Sequence, residues 1–431
     1  MRIRKNGAEM LARAGRSSLL ASVAAAALSI APAAQAVVPN DNLSPEDIVD
    51  GTDVNGVGIM YRDDGFVCTG TLINPRTVIF AAHCVNDLST PDYSTVNGGV
   101  PVAFAFQSDA RPGLIDWISN GYRTNTALSV YNVNNIAYHP DSLDPPALSF
   151  LYGDVAMATL DTPAADVPTW MMLFSALPAP AAINETTGTG YHVTVTGYGR
   201  TGSGTTGNSV GIDFRRKTAE NFLGMLGSLD DIDSFLFGAP GGYTQNLYQT
   251  DFDDPDRENP FDFNAFKDDA LPNEGNTAGG DSGGPLILDA ANNTLSDEDL
   301  VIGVLSGGSR FFGPQVFSSY GTESFYQPLY LFWDYIVATN PYRYVTAKDG
   351  DGNWEDASHW ETTLDPVYRV INEDGEVVNG LPTSPGAGIT GDCGARAHRS
   401  CGGARTSGRA ARGEHVAGGG HYRFGRAQHR G

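Results

Sequence analysis

Three short segments carry residue types that together can do nucleophilic chemistry. Thr77-Val78-Ile79-Phe80-Ala81-Ala82-His83-Cys84 runs an apolar, strand-like stretch into two small residues and a histidine. Gly153-Asp154-Val155-Ala156 sets a carboxylate ahead of a second apolar run. Gly279-Gly280-Asp281-Ser282-Gly283-Gly284-Pro285 surrounds a serine with glycines. A serine hydroxyl is a weak nucleophile until a base takes its proton, and imidazole titrates close to neutral pH. A carboxylate on the far side of the ring fixes the tautomer and stabilises imidazolium. Glycines beside the serine let backbone N–H groups approach a developing oxyanion. The chain order His83, Asp154, Ser282 is one of those in which such a triad occurs. Each segment alone is ordinary, since a lone His beside a strand is more often structural and Gly-Asp-Ser-Gly is a common loop composition. Asp141, Asp144 and Asp161 are rival carboxylates; none begins an Asp-apolar-Ala run, and they read as loop surface.

The elements that must position these residues read as β. Between about residues 54 and 345, short apolar runs at 70–73, 77–80, 102–106, 192–196, 285–288 and 300–305 are separated by Gly, Pro, Asn and Asp. Helical periodicity is scarce. Residues 330–339 carry it best, with Leu331, Phe332, Tyr335 and Ile336 on one face and Pro341 beyond the end. Composition agrees: 52 of 431 residues are Gly and only 18 % are charged, which suits a turn-rich β protein. Strands followed by one late helix belong to the all-β class, barrel or sandwich.

The two ends differ from the middle. Residues 1–36 begin with Arg2, Arg4, Lys5, Arg13 and Arg16, continue with an apolar run over 19–30, and end in Ala34-Gln35-Ala36. That is the pattern of a secretory signal peptide, with a run too short to span a bilayer. Export is the expectation, and with it disulfides become permissible. No other segment reaches the ~20 apolar residues of a membrane helix. Residues 346–390 open on the turn cluster Asp349-Gly350-Asp351-Gly352-Asn353 and continue into a hairpin about Asp374-Gly375. The cluster mimics the start of a calcium loop, but Trp354 and Trp360 stand where that loop needs Gly and Glu, so it reads as turns. Residues 391–431 hold eight Arg, four His, eleven Gly and two acidic residues, and read as a disordered basic tail or an out-of-frame stretch.

The formal charge of −23 averages these unlike parts: residues 37–390 alone carry 14 basic and 47 acidic residues, or −33. A surface that acidic repels phosphate backbones and excludes nucleic acid as a partner. Residues 250–275 contribute nine acidic residues against Arg257 and Lys267. They read as a solvated insertion, with cation binding or steering of basic substrates as the functional alternatives. Gly197-Tyr198-Gly199-Arg200-Thr201-Gly202 spells a dinucleotide fingerprint, but no helical pattern follows and it reads as a strand end and turn.

Residues 48–345 resemble a trypsin/chymotrypsin-like serine protease. The resemblance rests on Cys68-x-Gly70-x-Leu72-Ile73, Ala81-Ala82-His83-Cys84, Asp154-Val155-Ala156, Val195-Thr196-Gly197-Tyr198-Gly199, Gly280-Asp281-Ser282-Gly283-Gly284-Pro285 and the run 301–308. It implies two six-stranded antiparallel β-barrels with a C-terminal helix, followed here by the short β-rich segment. It implies a monomeric endopeptidase acting on protein or peptide through an acyl-enzyme, with no metal or organic cofactor required; a structural calcium ion has no support in the sequence. Ser282 is then the nucleophile, His83 the base and Asp154 the orienting carboxylate. The N–H groups of Gly280 and Ser282 form the oxyanion hole, and Ser306, Gly307 and Gly308 belong to the strand that pairs with substrate. Cys68 and Cys84 match the bridge that pins the histidine loop.

Asn276 falls at the base of the specificity pocket, where trypsin-like members carry an aspartate, so strong preference for Lys or Arg is not expected. Ala278 stands where a bracing cysteine is common. Ile48-Val49-Asp50-Gly51 resembles the family's processed N-terminus and would pair with Asp281, yet Asp47 precedes it rather than Arg or Lys. Processing at Ile48 and retention of residues 37–47 are both open readings. Residues 349–385 resemble the start of a passenger region after autotransporter protease domains, which implies a cell-surface or extracellular location. A non-catalytic adhesin on the same fold and an esterase with the same triad are the rival functions.

Overall fold

The computed structural model describes residues 36–93, 98–143, 151–180 and 184–382. A two-residue strand β1 (Val38–Pro39) is followed by β2 (Val54–Arg62), β3 (Val67–Asn74), β4 (Thr77–Phe80), β5 (Val102–Gln107), β6 (Val130–Tyr138) and β7 (Ala156–Leu160). These last six close into a barrel in the order β2-β3-β4-β7-β6-β5. Closure leaves no free edge and turns one face of every strand inward. The unbroken apolar run of β4 is accordingly buried along its whole length. Val78, Ile79, Phe80, Phe104 and Phe106 meet in the interior, where the Phe80 and Phe104 rings stand edge to face at 5.5 Å. The helix α1 (Arg111–Ser119), begun by a proline in its first turn, covers one side of the barrel with Leu114, Trp117 and Ile118.

The second half comprises β8 (Met171–Leu173), β9 (His192–Gly197), β10 (Thr201–Ser203), β11 (Gly207–Val210), β12 (Lys217–Phe222), β13 (Met225–Ser228), β14 (Asn246–Thr250), β15 (Gly275–Asn276), β16 (Pro285–Leu288), β17 (Leu300–Ser309) and β18 (Glu323–Pro328). Its main sheet runs β12-β9-β16-β17-β18-β14-β13, and β1 pairs with β15. A helix α2 (Leu229–Phe237), capped by the Ser228 side chain, joins β13 to β14. The chain is therefore all-β with one closed six-stranded barrel and, beside it, an extended antiparallel sheet. The late helix read over 330–339 is α3 (Trp333–Thr339), preceded by a single 3-10 turn at Leu329–Leu331. Its Trp333 and Ile336 pack into the core that Ile287, Val301 and Val304 of the sheet share with the barrel.

A buried cation also fastens the two halves. Arg216 has no exposed surface; its Nε donates to Asp50 at 2.7 Å, and one Nη donates to the carbonyl of Phe106 at 2.9 Å and the hydroxyl of Tyr198 at 3.0 Å. Its neighbour Lys217, equally buried, donates to Asp213 at 2.9 Å. Buried charges persist only when paired and hydrogen-bonded in this way.

Beyond residue 345 come β19 (Tyr344–Ala347), β20 (Trp360–Thr363), β21 (Tyr368–Ile371) and β22 (Val377–Asn379). β19 and β20 form a peripheral hairpin, and Asp349, Asp351 and Asn353 lie exposed in the bends between them. β21 and β22 are the hairpin about Asp374-Gly375, and β21 also runs parallel to β8, which runs parallel to β17. Val367, Tyr368, Val370 and Leu381 enter the main core. The Tyr368 hydroxyl accepts from Asn340 at 2.9 Å, and its ring meets Phe174 at 5.0 Å. Residues 391–431 lie outside the described residues.

Tyr368→Ala should therefore lower the stability of the whole domain by about 3 kcal/mol, because loss of a large side chain leaves a cavity and Asn340 loses the nearer of its two acceptors. Urea unfolding followed by tryptophan fluorescence measures this. An unchanged main transition would mean that residues 346–382 are an independent appendage.

Candidate active site

His83 sits in a 3-10 turn, Ala82–Cys84, that begins where β4 ends. Ala81 and Ala82 have no exposed surface, and their small side chains let the turn lie against the barrel wall. Cys68 of β3 is bonded to Cys84, so the turn is tied to the neighbouring strand and neither sulfur is available as a thiolate beside the imidazole. Asp154 lies just before β7, the strand antiparallel to β4, which carries it to the same end of the barrel. Its carboxylate is 1 % exposed and grips the histidine twice, at the His83 backbone N–H (2.7 Å) and at Nδ1 (2.7 Å). With a carboxylate against Nδ1, that nitrogen bears the proton and Nε2 is left as the base. Burial opposes a charge on His83, but the Asp154 charge and hydrogen bond outweigh it and hold the imidazole above its ordinary 6.5.

A third contact on Asp154 was not read from the sequence in that role. The Ser306 hydroxyl donates to Asp154 Oδ2 at 2.5 Å. The pairing of β17 with β18 shifts register between Leu305 and Gly307, so Ser306 is the extra residue of a bulge and its side chain is aimed out of the ladder. Gln327 donates to that hydroxyl at 3.2 Å and to the Leu151 carbonyl at 2.6 Å. Gln245 donates to Gln327 at 2.8 Å and accepts from the Gly153 N–H at 2.8 Å. A closed polar network thus runs from the residue before Asp154 back to Asp154 itself. The same bulged strand carries Gly307, half-buried, and Gly308, exposed, on toward its solvent end.

The Ser282 loop is built around Asp281. That carboxylate has no exposed surface and accepts from the N–H groups of Gly199 (2.7 Å), Ala278 (2.9 Å) and Val37. Burial pushes it up to about 6 against the pull of these donors and of the Lys217 charge. Gly199 approaches so closely that a Cβ there would lie 2.6 Å from the Asp281 nitrogen. Gly280 takes φ +107°, which favours glycine, and a Cβ on it would strike Gly199. The loop is tied to the barrel at Ser282 itself, whose carbonyl accepts from the Thr69 N–H at 2.8 Å. Cys84 Sγ lies 3.9 Å from the same carbonyl, so Ser282 stands next to the histidine turn. Gly283 donates to Leu305 at 2.7 Å, which joins the loop to the strand of Ser306.

In the uncut chain Ile48 is buried in the second core, and its carbonyl accepts from Thr218 at 2.9 Å. The position at Asp281 is filled by Val37, because β1 pairs with β15 with Val38 opposite Asn276. Residues 36–38 are fully buried, and Val37 has φ +52°. Ala-Val-Val-Pro carries no charge or turn signal that marks it as an inserted segment, whereas Ile48-Val49-Asp50-Gly51 matches the familiar pattern. Asn276 is buried at the base of the β15–β18 region; its amide donates to Thr322 Oγ1 at 2.8 Å and accepts from the Ser324 hydroxyl and the Thr277 N–H. No charged partner joins it in these contacts.

Residues 54–213 match the Trypsin family model. The match takes in His83 and Asp154 and ends before Ser282. Comparison with curated proteins found no match.

The imidazole of His83 should titrate above 6.5, read from its ring signals by NMR across pH 5–9. Asp154→Asn removes the charge opposite Nδ1 and should weaken its proton affinity at least about tenfold. Titration at an unchanged value in that variant would mean the contact is not electrostatically significant.

Proposed function

We propose that this chain, whose residues 54–213 match the Trypsin family model, is an exported serine endopeptidase of the trypsin/chymotrypsin-like family. Ser282 attacks the peptide carbonyl, His83 takes its proton through Nε2 and returns it to the leaving amine, and Asp154 holds the ring and stabilises imidazolium. The N–H groups of Gly280 and Ser282 receive the developing oxyanion. The observation that carries this reading is the double hold of Asp154 on His83, at the backbone and at Nδ1, one bonded turn away from the Ser282 loop. Asp154 further engaged by Ser306 is satisfied without any counter-cation, so its charge is directed at the imidazole.

The neutral, internally bonded Asn276 supports a preference for side chains other than Lys and Arg at the cleaved bond. Gly307 and Gly308 leave the β17 backbone open to pair with an extended substrate.

Residues 1–36 act as a signal peptide, and cleavage after Ala36 is the maturation step. It converts the Val37 N–H that Asp281 already accepts into an ammonium at the same place, giving Asp281 an ion pair in its buried setting. No cut at Ile48 is then required.

Ser282→Ala should abolish labelling by a fluorophosphonate and reduce casein hydrolysis about a millionfold. Undiminished hydrolysis in that variant sinks the mechanism, labelling without peptide cleavage favours an esterase, and an intact chain that never labels favours an adhesin. The acidic limb of kcat/KM should follow His83: activity is lost as pH falls through a midpoint above 6.5, where the base becomes protonated.

N-terminal sequencing of the secreted protein should begin Val-Val-Pro-Asn. Retaining Gln35 and Ala36 ahead of Val37 should cost about a hundredfold in activity, since a buried carboxylate loses its cation. An active enzyme beginning at Ile48 would contradict the assignment.

A further inference from the structure

The acidic insertion between β14 and β15 folds inward rather than spreading into solvent. Asp251, Asp253, Asp268 and Glu274 are each at most 3 % exposed. Asp251, Asp253 and Asp268 each bring a carboxylate oxygen within 4.8 Å of the others, with no His or Cys among them. Among the described residues, Asp253 is the member of this group in an ion pair, with Arg257, which also pairs with the neighbouring Asp262 and Asp269. That guanidinium is engaged by Asp253 at 2.5 and 3.1 Å, by Asp262 at 3.1 Å and by the Asp268 carbonyl at 2.6 Å. Glu274 is satisfied by the N–H groups of Asp253 (2.8 Å) and Leu271 (2.6 Å), and one Asp251 oxygen accepts from Ala265 at 2.9 Å. Asp268 Oδ1 is buried, belongs to the same cluster and has no hydrogen-bond partner.

An orphaned buried carboxylate oxygen beside two further buried carboxylates is an arrangement short of positive charge. We infer that Asp251, Asp253 and Asp268 bind a divalent cation, and that the cation is calcium. The donors are all oxygen, which selects a hard ion over zinc or copper. They come from one irregular loop rather than a preset octahedron, which suits the longer and more variable contacts of calcium better than those of magnesium. The ion would brace the loop from within. Glu274, bonded to the Asp253 N–H, leads directly into β15 and the segment that carries Ser282, so the site stiffens the base of the nucleophile loop without touching substrate.

The test uses the secreted chain carrying Ser282→Ala, so that self-digestion does not enter, stripped of metal at pH 7.5. Calorimetric titration with calcium chloride should give one bound ion per chain, and calcium at about a hundred times its Kd should raise Tm by about 3–4 °C over the EDTA sample. Asp268→Asn should weaken binding at least about tenfold and remove the rise, while melting no lower than the parent in EDTA because a repulsive charge is gone. Asp269→Asn, an exposed neighbour, should bind as the parent does. Absence of both heat and Tm change in the parent overturns the proposal, as does a calcium response undiminished in Asp268→Asn. If Asp268→Asn does not fold, Asp251→Asn is titrated instead, and undiminished binding there overturns it equally.

Discussion

A single buried carboxylate sets the geometry on which the rest depends. Asp281 has no contact with solvent, and an ionised carboxylate in that position must be surrounded by donors or be neutralised. Its donors come from three separated parts of the chain: Val37 from the N-terminal segment, Gly199 from the turn after β9, and Ala278 from its own loop. Each donor draws its segment to one point. A Cβ at Gly197 would lie 2.1 Å from the Asp281 carboxylate, so the strand end must be glycine for the acid to fit. The residue after Asp281 is Ser282, and its orientation follows from how tightly the acid is held.

A second set of polar contacts does for Asp154 what the backbone does for Asp281. One oxygen takes the His83 N–H; the other takes Nδ1 and the Ser306 hydroxyl. Gln327 and Gln245 then tie Ser306 back to Leu151 and Gly153, on the stretch that delivers Asp154. The barrel contributes the histidine and the aspartate, while the sheet contributes Ser306 and the serine loop. The network therefore forms only when the two halves are docked, and buried Arg216 with the core around Trp333 and Ile336 supplies that docking. Networks of this kind are rigid when every member is satisfied.

The strands and the meeting of His83 with Asp154 were legible because their signals are local. Residues 77–80, 102–106, 192–196, 285–288 and 300–305 are apolar runs bounded by turn formers, and all became strands. His83, Asp154 and Ser282 stand in short motifs whose chemistry dictates the neighbouring residues. What escaped depends on partners far away in sequence. The role of Ser306 arises from a one-residue slip of β17 against β18, which periodicity cannot encode. Val37 reaches Asp281 through β1–β15 pairing across more than 200 residues, and a two-residue strand leaves no pattern. The return of β21 to β8 is a parallel pairing of short strands, and its hairpin alone gave no hint of what it would join.

The acidity of the chain also acquires a structural meaning. Part of the excess is internal, and the buried carboxylates of Asp281, Asp213 and Asp154 are stabilised in three different ways. Asp281 is held chiefly by backbone N–H groups, with Lys217 acting at a distance. Asp213 is held by cations, Lys217 at 2.9 Å and Arg215 at 2.8 Å. Asp154 is held by the histidine it orients and by a serine hydroxyl. All three arrangements are complete within the chain. The group at Asp251, Asp253 and Asp268 is different, because one guanidinium serves several carboxylates and an oxygen is left over. Desolvating a charge is tolerated only against a matching charge or donor set, so the accounting that closes around Asp281, Asp213 and Asp154 stays open at this loop, at the base of the segment that presents Ser282.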